Sequence, residues 1–318
     1  MKYILSFLLV AFLIFDAFAQ TEITQKEIKK HISYLASERN KGRYPGTIEN
    51  YRVVKYIRKG FRKADIKPIG STYLQSFDTK LRVRRGATDT PIVKTFNVVG
   101  LIEGSDSVLN KEYLVIGAHY DHLGMGGLSS KKPDTVAIHH GADDNASGTT
   151  ALLEIAEKLS ANKSQLKRSI VLIAFGAEEQ GLLGSKYFTE NPLVPLSQIK
   201  LMINMDMVGR LSDEKQLYVG GAGTFNGGVE LMRKLGEDLN LNAVVHAGGV
   251  GGSDHVSFYK KNLSVMGIHT GGHPQYHTPE DKAELINIPG QKLVCDYIYN
   301  AIIHIANDPR EISYINQN

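Results

Sequence analysis

Tyr113-Leu114-Val115-Ile116-Gly117-Ala118 runs without a break into His119-Tyr120-Asp121-His122. A short run dominated by apolar residues is the pattern of a strand buried between two helical layers. This one closes on imidazoles and a carboxylate. Similar runs at 169–175, 200–205 and 263–268 read as further buried strands, and helical patterns at about 145–161, 180–189, 226–240 and 288–307 separate them. The alternation predicts an α/β fold with a mixed, mainly parallel central sheet flanked by helices on both faces.

Working outward toward the amino end, 95–102 and 73–77 read as two more strands. Residues 22–39 and the segment around Val53, Ile57 and Phe61 read as amphipathic helices, the first with Thr24 as N-cap and Glu27 three residues on. Gly42-Arg43-Tyr44-Pro45-Gly46-Thr47 breaks the chain between them. With no repeat or low-complexity linker, residues 20–318 read as one domain. The glycine- and serine-rich segment 124–130 reads as a surface loop.

Residues 1–19 have the form of an export signal. Lys2 precedes an apolar run over 4–15, and Ala17-Phe18-Ala19 has the small-x-small form of a cleavage site. That run falls short of the roughly 20 residues needed to span a bilayer, so the expectation is a secreted or periplasmic protein with no membrane partner. Cys295 is the only cysteine of the chain, which excludes an internal disulfide, and its apolar neighbours place it on the inner face of the last helix. The net charge is +4, and the densest basic stretch, Lys80, Arg82, Arg84 and Arg85, alternates with Leu81 and Val83 as an edge strand with one wet face would. This favours a solvated surface over a nucleic-acid site.

Open α/β sheets bind ligands at the carboxyl ends of their strands. His119, Asp121 and His122 follow the first buried strand, Glu178 and Glu179 the second, Asp206 the third and His277 the fourth. Between them lies Gly141-Ala142-Asp143-Asp144-Asn145-Ala146-Ser147-Gly148, whose adjacent carboxylates open directly into a helix. Such acids either cap the helix or hold something cationic. Two imidazoles and three carboxylates are donors suited to zinc, and they exceed what one tetrahedral catalytic ion needs. The surplus points to two ions about 3.5–4 Å apart sharing a carboxylate.

These residues resemble the motif series of the M28 zinc peptidases, the co-catalytic aminopeptidases. The likeness rests on His119-Tyr120-Asp121-His122, Gly141-Ala142-Asp143-Asp144-Asn145, Gly176-Ala177-Glu178-Glu179-Gln180-Gly181, Asn204-Met205-Asp206-Met207-Val208-Gly209 and Tyr276-His277-Thr278-Pro279, in that order. The resemblance implies a zinc-exopeptidase sheet in which Asp144 bridges two zinc ions. His119 and Asp206 would complete one site, and Glu179 and His277 the other. It implies a cis peptide after Asp144, Glu178 as general base toward a zinc-bound hydroxide, and Asp121 accepting the second ring N–H of His119. Tyr276 is a candidate donor to the oxyanion on the scissile carbonyl.

The implied function is hydrolysis of a peptide bond next to a free terminus, most simply the amino terminus. A glutaminyl cyclase-like acyltransferase with one zinc, or a carboxypeptidase or dipeptidase of the same family, are the alternatives. Cyclases of this kind use a tryptophan-lined pocket, and this chain has no Trp. His139 and His140 match no motif and read as rim residues, and His122 as a supporting one. Ser253-Asp254-His255 reads as a helix N-cap lining the pocket, because adjacent residues cannot form a nucleophile triad. Asn145-Ala146-Ser147 is a formal glycosylation sequon that is discounted beside the bridging carboxylate.

Overall fold

Eight strands form a single sheet in the computed structural model, which describes residues 22–82 and 90–317. In chain order these are β1 Leu74–Lys80, β2 Ile92–Ile102, β3 Tyr113–His119, β4 Ser169–Phe175, β5 Ile199–Met205, β6 Gln216–Gly220, β7 Asn242–Val245 and β8 Val265–His269. They lie side by side as β1-β2-β4-β3-β5-β8-β6-β7. The central β4, β3, β5 and β8 are parallel; β1, β2 and β4 meet antiparallel; and β6 runs antiparallel to β8 and parallel to β7. The sheet is therefore mixed and mainly parallel, as the alternation predicts. The export-like residues 1–19, and Val83, Arg84 and Arg85 of the basic stretch, lie outside the described residues.

Alternate side chains of β3 and β4 enter opposite layers. Leu114, Ile116, Ile170 and Leu172 join one apolar cluster, while Val115, Val171, Ile173 and Phe175 join another. The first cluster holds buried residues of α1 Gln25–Leu35, α2 Ile48–Lys63, α3 Gly148–Ala161 and α7 Ile288–Asn307, and Met232 of α5 Gly228–Asp238. The second holds Phe188 of α4 Leu183–Glu190 and Phe258 of α6 His255–Tyr259. Full burial of each large apolar side chain contributes roughly 1.5–3 kcal/mol, so the strands are held from both faces.

The cap expected at Thr24 holds. Thr24 accepts the Glu27 N–H at 3.2 Å, and Ile28, Ile32 and Leu35 are buried. Cys295 is buried in α7. Two elements were not anticipated: β6 has five residues and β7 four, too short to show a period, whereas the helix expected to start at Ser253-Asp254-His255 is the five-residue α6. The helix expected from 145 starts at Gly148, because Ala142–Ser147 forms a kinked turn with Asp144 and Asn145 outside helical geometry. The Asp144–Asn145 peptide is cis, as the resemblance implied. Among the described residues, no helix is long and apolar enough to cross a membrane.

Candidate metal centre

The carboxyl ends of the parallel strands gather the acids and imidazoles. His119 is the last residue of β3, and Asp206 follows β5 directly. Glu178 and Glu179 lie just past β4, and His277 sits in the segment after β8 with a left-handed φ of 59°. Asp144 projects from the kinked turn before α3. A glycine is required at the head of that turn. Gly141 has φ 56°, and a Cβ there would meet the Asp144 carbonyl at 2.2 Å and the His122 ring at 2.4 Å.

The two carboxylate oxygens of Asp144 face different partners. His119 Nε2 stands 3.2 Å from Oδ1 and 3.4 Å from Asp206 Oδ1. His277 Nε2 stands 2.9 Å from Oδ2 and 3.3 Å from Glu179 Oε2. Zinc bonds of about 2.0–2.2 Å in tetrahedral geometry place neighbouring donors roughly 3.4 Å apart, which these separations approach. His122 is a rival donor in the second group, since its Nδ1 also converges on Asp144 and Glu179. Its contact with Glu179 Oε1 is 2.7 Å, a hydrogen-bond distance, whereas Asp144 Oδ2 is 3.9 Å away. His277 therefore fits the donor set better, and His122 fixes the outer oxygen of Glu179.

Burial and neighbouring charge set the protonation states. Burial alone would lower the His119 imidazole, but Asp206, Glu178 and Asp144 around it hold it well above its usual range. His277 responds the same way to Asp144 and Glu179 and is pushed up to about 10. Burial pulls Asp144 upward, yet the His119 and His277 bonds keep it well below the carboxylate range. The imidazoles thus carry protons that a metal would displace. Glu178 is different. Its Oε2 is 4.0 Å from His119, and burial, then Glu179, Asp254 and Asp206, raise its carboxyl well above the usual value.

Asp121 does not hold His119 in the way expected. Its carboxylate is 3.9 Å from Nδ1, and the nearer atom is its own carbonyl oxygen at 3.3 Å. The carboxylate instead accepts the Glu178 N–H at 2.9 Å and the Glu179 N–H at 3.4 Å, fixing the loop that carries both glutamates. Burial, then Glu179, raises it to about 6. Tyr276 stacks on His277 with ring centres 3.8 Å apart.

A cavity of about 410 Å³ opens beside these groups. Asp144, Glu178, Asp206 and His277 line one side, with Tyr276 at the edge; Tyr218, His246, Gly251, Gly252, Ser253 and His255 line the other. A cavity of about 480 Å³ between α1 and α2 lies among Lys30, Lys55, Lys59, Tyr34 and Tyr56. The neighbouring Glu27, His31 and Glu154 could also group around a cation. They are already engaged: Glu27 by Lys30, and His31 by Tyr56 and Glu154.

Several residues escaped the sequence reading. Asp281 accepts the Asp143 and Asp144 N–H groups at 3.0–3.1 Å, Asp143 accepts the Gly209 N–H at 2.7 Å, and Arg43 lies buried beneath the turn. Asp254 occupies the cap position of α6 but makes no cap bond, and its buried carboxyl is raised to about 7, chiefly by desolvation. His139 is not a rim residue, whereas His140 is half-buried. His139 is buried against Ser130 and Ala137, and His140 Nδ1 lies 2.9 Å from the Ala36 carbonyl. Asn145 is fully buried, its amide donating to the Met205 carbonyl, which is no place for a glycan.

The model of peptidase family M28 matches residues 97–302. Aminopeptidase YwaD of Bacillus subtilis is 30% identical over 237 residues, covering 72% of this chain and 47% of that protein. Leucine aminopeptidase 2 of Trichophyton equinum is 29% identical, covering 56% of this chain and 34% of that protein. The chain thus spans half or less of the length of these curated relatives. Among solved structures, a zinc aminopeptidase from Bacillus subtilis superposes with a TM-score of 0.73 at 19% identity, covering 94% of this chain and 99% of that one. Glutaminyl cyclase of Porphyromonas gingivalis superposes with 0.72 at 20% identity, covering 89% and 99%.

Proposed function

Because the chain belongs to peptidase family M28, we propose that it is a zinc aminopeptidase, acting outside the cytoplasm on peptides with a free amino end. The observation that carries this reading is the division of Asp144, with one oxygen toward His119 and Asp206 and the other toward His277 and Glu179. That donor set fits a pair of zinc ions sharing one carboxylate. When bound, the ions supply Lewis acidity and make water ionisable near neutral pH.

The chain's own groups do the rest. Glu178 takes a proton from the attacking water and returns it to the leaving amine, a role suited to a carboxyl whose proton affinity burial raises well above the usual carboxylate range. Asp121 holds the Glu178 main chain in place. The Tyr276 hydroxyl donates to the oxyanion that forms on the scissile carbonyl. The acidic rim receives the substrate ammonium, and the cavity wall from Tyr218 to His255 receives its side chain.

The test is hydrolysis by the zinc-loaded protein of aminoacyl-anilides and of their N-acetylated forms. Cleavage of the free amines alone supports the reading; cleavage of the blocked forms, or none of either beyond a Glu178→Ala control, overturns it. The cyclase-like alternative draws on the similar sheet of the Porphyromonas enzyme. It is met by metal analysis, which should return two zinc ions per chain rather than one, and by the absence of pyroglutamate formation from Gln-peptides. Fractionation and amino-terminal sequencing check the export and the start at Gln20.

A further inference from the structure

The largest fully buried side chains include a guanidinium directly under the candidate centre. Arg43 is 1% exposed, and its neighbours in the fork are main-chain carbonyls rather than a carboxylate. Its Nε donates to Tyr120 O at 2.7 Å; one terminal nitrogen donates to His140 O at 2.6 Å and Leu35 O at 3.3 Å; the other donates to Gly141 O at 2.6 Å and Asp144 O at 3.4 Å. An arginine has five N–H donors, and here each finds an acceptor. Tyr120 follows His119, and 140–144 is the turn that presents Asp144. One rigid plane therefore ties together two of the three segments that supply the first donor group.

The backbone is bent to achieve this. Lys41 and Arg43 have φ of 37° and 42°, a left-handed geometry that non-glycine residues occupy at a cost of order 1 kcal/mol or more each. Asn50 braces the bend by donating to the Arg43 carbonyl at 2.8 Å. The fixed positive charge also lies beneath a crowd of carboxylates, Asp144 and Asp121 foremost.

We propose that Arg43, 101 residues before Asp144, is a positioning residue of the metal centre, holding the His119 and Asp144 loops at zinc-binding separation. This rests on the reading of those two residues as ligands. Arg43→Lys keeps a charge but has three donors and no planar fork. The control is Arg168→Lys, which removes the other large buried guanidinium, bonded to Glu112 and to the carbonyls of Ile305, Asp308 and Arg310, well away from the site.

Zinc affinity is measured by chelator competition on refolded, metal-free protein, with the zinc-induced rise in melting temperature as a second readout. Both variants should melt earlier. Only Arg43→Lys should bind zinc ~10–100-fold more weakly, the usual effect of losing a group that orients a ligand, and its kcat should fall more than its KM rises. Equal zinc affinity in Arg43→Lys and the parent, or an equal loss in Arg168→Lys, overturns the proposal. If Arg43→Lys does not fold, Asn50→Ala loosens the same bend, and unchanged zinc affinity there overturns it as well. A parent chain that takes up no zinc would instead overturn the ligand reading itself.

Discussion

The two sides of the candidate cavity are built in opposite ways. On the acidic side the Ala142–Ser147 turn is gripped from every direction: Arg43 on its carbonyls, Asp281 on its N–H groups, Asn145 on the end of β5 and Gly141 against His122. Across from it, residues 248–252 are mostly glycine, and a Cβ added at Gly251 or Gly252 would meet nothing within 4 Å. Donor groups for a metal must be held to a few tenths of an ångström, whereas a wall that receives varied side chains gains from being bare. The difference separates the part of the molecule that fixes chemistry from the part that sets preference.

Substitutions can break or sharpen that contrast. The largest effect is expected at Glu178, on the acidic side of the cavity. Glu178→Gln should lower kcat by ~10²–10⁴-fold while zinc content, measured by atomic absorption, stays the same. Lost zinc would mean that Glu178 is a ligand rather than a base. On the gripped side, Asp281→Ala orphans the Asp143 and Asp144 N–H groups and should weaken zinc binding ~10–100-fold in chelator competition. An unchanged affinity would show that the turn holds itself. On the bare side, Gly251 has no left-handed φ to preserve. Gly251→Leu should therefore fold normally and shift the kcat/KM ratio between large and small amino-terminal residues by roughly tenfold toward the small.

The smallest effect concerns stability. Burial lowers the His255 imidazole from 6.5 to about 4. Between those values the unfolded chain binds a proton that the folded chain refuses, so this contribution is complete above about 6.5 and is lost as pH falls toward 4. Urea midpoints should fall less steeply over that window in His255→Gln than in the parent. Parallel slopes would mean that this side of the cavity admits the charge.

What could be read beforehand follows the same division. β3, β4 and β5 announce themselves because strands buried on both faces are dominated by apolar residues, and the donors follow each strand end as an open α/β sheet demands. β6, with only alternate residues buried, and the four-residue β7 leave too short a pattern to detect. Arg43 and Asp281 were illegible for another reason. They act on main-chain carbonyls and N–H groups, which every residue has and no sequence marks. Asp121 shows the limit of inference by likeness: the side chain is where it was sought, but it accepts from the glutamate loop and stands back from the imidazole.

Arg43 sits near one end of the chain and Asp281 near the other, and the turn they grip lies between them. Only Asp281 falls where a trimmed version would keep it: the family match runs from residue 97 to 302, leaving out Arg43 together with α1 and α2. A fragment cut to the recognisable motifs would retain every ligand candidate and lose the scaffold that spaces two of them. During synthesis the order is also fixed, because the turn emerges with its floor already made and its ceiling still to come. In a nascent chain the pair of donor groups thus stays incomplete until His277 and Asp281 arrive, and the core that α7 closes comes later still.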